Sequence, residues 1–533
     1  MTGLKENSLR ERIVTRWNNI EKSVKWAFFA CLISGLLFHL FAFTNMIPNS
    51  DGISRLNDPQ QMTVVGRWFL HYATWFNAYT QMPMLIGVLS LLFLSTAAAL
   101  TVCMLRVQNI PAAVLIGVQM TAIPAMAYTY LYMFTASAYC FSILLATVAV
   151  YACEKTRFGW LWGSLILALA VGIYQTYITV AISLCLLLVL RFALEHLDDP
   201  KSILLTGLKK IGFLALGMVV YYLVLQIFLR VKNLELLSYL NMNDTLLNYP
   251  LRSLPSILKL TYVQVFRQFY APHGYVNIAI IVSDFVLLIC ALVCIVISVV
   301  RAEKRRVWSI VMLVGVLLLL PLGINFTQVM NPSSAPTPIM QYSFVYPVIL
   351  VLTLLPELSL SSKHIRTVCK VAGLAAVLLL SLKYAQVDNL CYTASLQAHR
   401  ATESFATRLV ARIEQAEGYE AGMEVAIIGG YPEEYYTSPI ASFETVKHYS
   451  CLPETVTPLN KQIYYYFNNW LNVPINEPPE DTLIAVSGSA EFAAMPLYPS
   501  DGSVQVVNGM VIVKLAESYT PKQQYEIDYE NRR

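Results

Sequence analysis

Charged residues are scarce in this chain, and their scarcity excludes most classes of soluble protein. Only 13% of the 533 residues are Asp, Glu, Lys or Arg, while 56% are hydrophobic. An ordinary soluble domain has about one quarter charged residues, so we exclude a disordered protein, a nucleic-acid-binding protein and a typical cytosolic enzyme. The net charge of +4 is too small to identify a partner. A mean hydropathy of +0.55 instead predicts a polytopic membrane protein, with the lipid bilayer as a partner.

The sequence also lacks several diagnostic patterns. No Cys or His spacing resembles a zinc site, and no repeat at a fixed period supports a transporter built from duplicated halves. Eight of the ten cysteines lie in or beside apolar segments, where a thiol behaves as a small hydrophobe. Cys391 and Cys451 lie outside these segments, and in an oxidising compartment they either pair or stay free.

Long apolar runs dominate the first three quarters of the chain. A hydrocarbon core of roughly 30 Å requires about 20 apolar residues per helix. Eleven runs qualify, at residues 26–46, 82–105, 110–128, 133–153, 158–175, 177–194, 211–230, 277–300, 307–327, 339–356 and 367–387. We therefore expect an all-α polytopic membrane protein with about 11 transmembrane helices.

The positions of Lys and Arg predict the orientation of these spans. With the N-terminus in the cytoplasm, the inner segments contain 20 Lys and Arg, and the outer segments before the tail contain 7. Positive residues accumulate on the cytoplasmic side. We therefore expect a basic cytoplasmic N-terminus over residues 1–25, a membrane module over 26–387 and an extracytoplasmic tail over 388–533. The module then has two long outer loops, 47–81 and 231–276.

The tail has the pattern of a small α/β domain. Residues 399–416 have helical periodicity. Short strands are predicted at 425–428, 483–486, 504–507 and 510–513. Asn508-Gly509 joins the last two strands in a hairpin. Gly429-Gly430 follows the first strand, where a plain turn is a simpler interpretation than a phosphate-binding loop.

The first outer loop contains two carboxylates directly after the first span. Asp51 lies a few residues beyond Met46, so the preceding helix would hold it at the membrane surface, partly desolvated. Asp58 follows in the same loop, with Arg55 between them. A carboxylate in this position is a candidate general base, and a solvated turn is the alternative. Two nearby carboxylates are also compatible with a divalent metal ion.

Cations in the two outer loops are candidate binding groups. They are Arg67 in the first loop and Arg252, Arg267 and His273 in the second. The first loop is rich in aromatic residues around Arg67, and the second contains an amphipathic helix predicted over 256–269. Cations among aromatics beside a membrane either bind an anionic lipid headgroup or anchor the loop at the interface.

Polar residues also occur between and inside the predicted spans. Gln175 and Tyr177 lie in a tight turn between spans five and six, where they either line a cavity or cap two helix ends. His39 and Asp284 lie within spans. An ionisable residue inside a membrane is a functional candidate, and an interhelical hydrogen bond explains each of them equally well.

Three short motifs in a fixed order resemble one enzyme family. They are Asn49-x-Asp51-Gly52, Gly66-Arg67-Trp68 and Tyr174-Gln175-x-Tyr177. With the acid after the first span, two long outer loops and an outer tail, the chain resembles the GT-C class of multipass glycosyltransferases. More narrowly, it resembles the bacterial type II glucosyltransferase family. The resemblance covers about residues 20–390, and the tail matches only in being present.

This resemblance implies an enzyme of the bacterial inner membrane. Such enzymes pass glucose from a polyprenyl-phosphate donor, with inversion, to a cell-surface glycan such as O-antigen, teichoic acid or capsule. The resemblance implies Asp51 as the base and Asp58 as a second acid that either orients Asp51 or binds sugar hydroxyls. It also implies that Arg67, with Arg252 or Arg267, holds the donor phosphate. The remaining substrate-binding candidates are Arg55, Gln175, Tyr177 and His273. No cofactor is expected, because a cation can stabilise the departing lipid phosphate.

Two other functions are consistent with a polytopic chain. A lipid or glycan transporter or flippase would have charged residues spread through its spans, whereas here the polar residues cluster on one side. A non-catalytic membrane scaffold would instead carry its function in the tail.

Overall fold

Apolar helices make up most of the structure, as the long hydrophobic runs require. The computed structural model describes residues 11, 15, 17–47, 49–54, 56–237, 249–333, 335–359, 362–430, 440–449 and 460–519. It is 74% helical with little sheet. The α-helices are α1 (Lys22–Thr44), α2 (Ser50–Ser54), α3 (Leu70–Ala73), α4 (Pro83–Met104), α5 (Ile110–Ala122), α6 (Pro124–Leu131), α7 (Met133–Lys155), α8 (Gly159–Ile173), α9 (Ile178–Glu195), α10 (Pro200–Val231), α11 (Leu254–Tyr270), α12 (Ile278–Arg301), α13 (Val307–Ile324), α14 (Phe326–Met330), α15 (Tyr346–Leu354), α16 (Lys363–Glu414), α17 (Asn460–Tyr465), α18 (Glu480–Ser487) and α19 (Ala490–Ala494).

Eight helices within the described residues are long and apolar enough to cross a bilayer. They are α1, α4, α7, α9, α10, α12, α13 and α16. The pair α5 and α6 is a further candidate, bent by 40°, because Pro124 follows Ile123 and forces it into an extended conformation. Shorter apolar helices occur at Gly159–Ile173 and Tyr342–Glu357. A helical membrane protein is thus confirmed, and the count of about 11 spans stays a prediction.

Small residues allow the spans to approach closely, as is common inside membranes. A Cβ on Gly117 of α5 would lie 2.4 Å from the carbonyl oxygen of Ala27 in α1, and one on Gly163 of α8 would lie 2.5 Å from the carbonyl oxygen of Ala149 in α7. His39 joins the same bundle through both ring nitrogens. Nε2 donates to the carbonyl of Thr121 at 2.9 Å, and Nδ1 lies 2.7 Å from the Tyr392 hydroxyl. The interhelical hydrogen-bond interpretation therefore describes His39.

One unbroken helix connects the membrane bundle to the tail. Helix α16 has 52 residues, which corresponds to about 78 Å at 1.5 Å per residue. This length far exceeds a hydrocarbon core, so much of α16 projects beyond the membrane. The predicted boundary at 387/388 falls inside this helix, as does the start of the helix predicted over 399–416. Cys391 on α16 is a fully buried free thiol, and Cys451 lies outside the described residues.

A small sheet lies in the tail. Its strands are β1 (Val425–Ile428), β2 (Val504–Val507) and β3 (Met510–Lys514), in the order β1-β3-β2. Strand β3 pairs parallel to β1 and antiparallel to β2, with Val511 opposite Val425. The strand predicted at 483–486 is wrong, because these residues lie in α18. Pro479 precedes that helix and acidic residues occupy its first turn, both of which favour a helix start.

Candidate active site

A short helix presents Asp51 just beyond the end of α1. The side chain of Asn49 caps this helix, α2, by accepting a hydrogen bond from the Gly52 amide at 2.7 Å. Gln81 at the far end of the loop donates to the Gly52 carbonyl at 2.6 Å, so the helix has a fixed position. The Asp51 carboxylate is half-buried and has no hydrogen-bond or ion-pair partner in the described part of the chain. No other group among these residues therefore occupies the carboxylate oxygens, which are both free to accept hydrogen bonds.

Asp58 is built into the fold of the same loop. Its side chain is buried, and Oδ1 accepts a hydrogen bond from the Gln60 amide at 2.9 Å. Its own amide donates to the Tyr79 carbonyl at 3.0 Å. Gln60 has a φ of 57°, a left-handed conformation that the Asp58 side chain helps to stabilise. Asp58 thus shapes the loop around Asp51, whereas Arg55 lies outside the described residues.

His71 joins the acidic part of the loop to its aromatic part. Nδ1 lies 2.6 Å from the Pro59 carbonyl and donates to it. The imidazole also stacks on the Tyr79 ring, with centroids 5.0 Å apart and planes within 7°. The aromatic part of the loop folds as the single helical turn α3 and a 3₁₀ turn at Thr74–Asn77. Sequence reasoning did not single out His71.

Arg67 is held in place by two tyrosines from the bundle. Its Nη1 donates to the Tyr139 hydroxyl at 3.2 Å, and its guanidinium carbon lies 4.4 Å from the centroid of the Tyr174 ring. Tyr139 and Tyr174 stack on each other with centroids 4.7 Å apart. A guanidinium over an aromatic face is stabilised by the ring quadrupole. Arg67 is half-buried, and these two contacts fix the position of its guanidinium group.

The motif that contains Arg67 packs directly on the Tyr174–Tyr177 motif. Gln175 Nε2 donates to the Val65 carbonyl at 2.8 Å, and the Tyr221 hydroxyl donates to the Gly66 carbonyl at 3.0 Å. Gly66 has a φ of +80°, and a Cβ there would lie 2.4 Å from Gln175 Nε2. Tyr177 is buried against the rings of Tyr139 and Tyr174. Gln175 and Tyr177 therefore support Arg67 through packing and hydrogen bonds.

The second loop places Arg267 on an amphipathic helix and Arg252 just before that helix. Helix α11 extends the range predicted for it by one or two residues at each end. Arg252 precedes the helix and Arg267 lies in its last turn, and both side chains are exposed. His273 is more enclosed, with Nδ1 2.9 Å from the Ala271 carbonyl and Nε2 3.2 Å from Gln268 Oε1.

A polar network between α11 and the end of α13 was not predicted. Gln264 donates to the Gln328 side chain at 2.7 Å and accepts from the Asn325 side chain at 2.9 Å. Asn325 and Gln328 are buried. The sequence did contain a signal for this network, because both side-chain amides directly follow the long apolar run of α13. Amides that are buried there require hydrogen-bond partners. The network fixes the helix that carries Arg267 to the bundle.

The part of the chain that the structure describes contains no evident metal site. No group of three or more His, Cys, Asp or Glu side chains there is arranged to hold a metal ion. Asp284, which the sequence placed inside a span together with His39, is buried in α12.

Comparison with known proteins identifies the family. The family model described as glucosyl transferase GtrII matches residues 40–387. The chain belongs to the GtrII glucosyl transferase family. No curated protein and no solved structure matches it. The resemblance to a type II glucosyltransferase family is confirmed, and with it the prediction of a glucosyltransferase enzyme.

The GtrII match contains all three sequence motifs and the whole of the second loop. In this GtrII chain the first two motifs form two parts of one folded loop, and the third packs against the part that contains Arg67. One part carries the half-buried Asp51 carboxylate, and the other carries the guanidinium of Arg67. The match ends inside α16, so the tail beyond residue 387 lies outside it.

Proposed function

We propose that this GtrII chain transfers glucose from a polyprenyl-phosphate donor to a hydroxyl of a cell-surface glycan, with inversion at the anomeric carbon. In this proposal the reaction occurs at the outer face of the bacterial inner membrane, with the N-terminus in the cytoplasm and the tail outside. The observation that carries it is the half-buried Asp51 carboxylate, which has no partner among the described residues and shares a folded loop with Arg67.

One carboxylate and one guanidinium suffice for this reaction. Asp51 accepts the proton of the acceptor hydroxyl as its oxygen attacks the anomeric carbon from the face opposite the leaving group. The bond between that carbon and the phosphate oxygen breaks, and the electron pair leaves with the lipid phosphate. Arg67 stabilises the charge that develops on the phosphate. Because a phosphate leaves without protonation, the proposal requires neither a general acid nor a cofactor, and a divalent metal is not needed.

Helix α11 fits a lipid-linked donor. Leu260, Val263 and Phe266 are exposed on this helix, next to the exposed Arg267. A helix with exposed apolar side chains and cations is suited to lie in the membrane interface. We propose that Arg267, with Arg252, attracts the phosphate of the carrier lipid while the chain of the lipid remains in the bilayer.

The division of the chain follows the same proposal. Residues 1–25 are the cytoplasmic N-terminus, 26–387 are the membrane module that holds the donor, and 388–533 are the extracytoplasmic domain. The acceptor glycan approaches from the side of the tail.

Covalent transfer distinguishes this function from transport. The full-length protein in sealed proteoliposomes is given glucosyl polyprenyl phosphate with a radiolabel in the glucose, together with surface polysaccharide from the host strain. We expect label in the polymer, and NMR of the product to show the anomer opposite to that of the donor. Label that accumulates inside the vesicles without covalent transfer would support a transporter and contradict the proposal. Vesicles without the protein give the background.

A further inference from the structure

A π-helical turn of the tail lies against the helix that carries Asp51. Residues Tyr466–Trp470 form this turn, which together with α17 contacts α2. Asn469 Nδ2 donates to the Ile53 carbonyl at 3.1 Å, two residues beyond Asp51. π-helical turns are rare and frequently occur at functional sites. The tail therefore forms one wall of the region around the candidate base.

Two buried polar atoms, one in this turn and one beside it, have no hydrogen-bond partner in the described part of the chain. They are the Tyr466 hydroxyl and His399 Nδ1, on side chains 1% and 3% exposed. Their rings have centroids 5.8 Å apart, and the Trp470 ring lies 4.6 Å from that of His399. Burial, and to a smaller degree the nearby Glu403 carboxylate, raises the pKa of Tyr466, so its hydroxyl keeps the proton that it can donate.

The unsatisfied atoms indicate a ligand that supplies polar partners. Leaving a buried donor or acceptor unpaired destabilises the folded protein, so such groups persist where binding satisfies them. The cluster combines an indole, a phenol and an imidazole. A pyranose ring matches this set, because its apolar face stacks on an indole while its hydroxyls exchange hydrogen bonds with the other two groups. A phosphate would instead require Arg or Lys.

The position of the cluster favours binding of the acceptor glycan over binding of the donor. The donor-binding candidates Arg67, Arg252 and Arg267 lie in the two loops of the membrane module, within the region that the GtrII model matches. The cluster lies beyond residue 387, on the tail side of Asp51. Recognition of the acceptor by the tail, which the GtrII model does not match, is consistent with this arrangement.

We propose that His399, Tyr466 and Trp470 bind a pyranose ring of the acceptor glycan and present its hydroxyl to Asp51. The inference rests on the proposed glucosyl transfer. It names the part of the chain that selects the acceptor, and it makes Trp470 the stacking platform of that site.

Substitutions at two residues, Trp470 and Tyr466, test the site with the full-length protein in proteoliposomes. Trp470→Ala is expected to raise the acceptor KM about tenfold and to leave the donor KM unchanged. Trp470→Phe keeps an aromatic ring, so its acceptor KM is expected to lie close to the wild-type value. Trp162→Ala is the matched control, because Trp162 is 57% exposed on α8. Tyr466→Phe removes only the unpaired hydroxyl. It is expected to raise the melting temperature of the free protein while it raises the acceptor KM.

The outcomes separate this inference from the proposed function. Wild-type transfer to the polysaccharide, with a wild-type acceptor KM in Trp470→Ala and in Tyr466→Phe, would overturn the acceptor site and leave the proposed function standing. A wild-type protein that transfers no glucose to any acceptor would overturn the proposed function itself, and the inference with it. A raised acceptor KM in both variants, with an unchanged value in Trp162→Ala, supports the site.

Discussion

Replacing Gly66 with alanine tests whether the contact between the two motifs is required. The backbone at Gly66 has a φ of +80°, which costs an L-residue about 1–2 kcal/mol. The new Cβ would lie 2.4 Å from Gln175 Nε2 and 2.7 Å from the Tyr221 hydroxyl oxygen. Both side chains must move, and their hydrogen bonds to the loop backbone contribute about 1 kcal/mol each. We expect Gly66→Ala to lower the free energy of unfolding by about 3–4 kcal/mol.

The assay compares Gly66→Ala with a glycine that has the same backbone and no neighbours. Gly509 has a φ of +79°, and nothing lies within 4 Å of an added Cβ. Gly509→Ala therefore carries only the backbone cost of about 1–2 kcal/mol. We expect a larger fall in melting temperature for Gly66→Ala, together with a loss of about 100-fold in kcat/KM for the donor, because the adjacent Arg67 moves. Equal stability and activity of the two variants would refute the reasoning.

Three further substitutions separate binding from stability. Arg67→Lys keeps the charge but loses the planar stack on tyrosine, so we expect about a tenfold rise in the donor KM; steady-state kinetics in which only the acceptor KM rises would contradict it. His39→Phe removes two interhelical hydrogen bonds. We therefore expect the free energy of unfolding to fall by about 1–2 kcal/mol, measured as a lower melting temperature, while the KM values stay unchanged. Activity lost without a change in melting temperature would instead indicate a direct role. Tyr464→Phe removes two hydrogen bonds to β1 and is expected to cost about 1–3 kcal/mol, seen as faster limited proteolysis of the tail; unchanged resistance would argue against this.

The apolar runs predicted where the long helices lie, because burial in a bilayer depends on average hydrophobicity. The same averaging hides local breaks. Residues 110–128 were predicted as one span, yet Pro124 divides them into α5 and α6. The apolar residues 483–486 were too few to distinguish a strand from a helix by period alone. The capping signals at Pro479 and Glu480 were the better guide.

The motifs were visible in the sequence, but their contacts were not. Gln175 bonds to a carbonyl 110 residues away, and one sequence contains no information on which distant groups pair. The same reason explains why His71 and the Gln264 network were missed. The role of Asp58 as a loop-forming residue depends on a hydrogen bond to Gln60, which a list of acidic residues cannot reveal.

A single-turnover experiment on Asp51→Asn tests most directly whether Asp51 is the base. Asparagine has nearly the same shape and cannot accept the proton. With donor and acceptor saturating, we expect the rate of transfer to fall by about 10²–10⁴-fold, with unchanged donor affinity. Asp198→Asn, an exposed carboxylate between α9 and α10, serves as the control and should retain the wild-type rate. A transfer rate in Asp51→Asn within about twofold of wild type, far inside the range that loss of a general base produces, would contradict the mechanism.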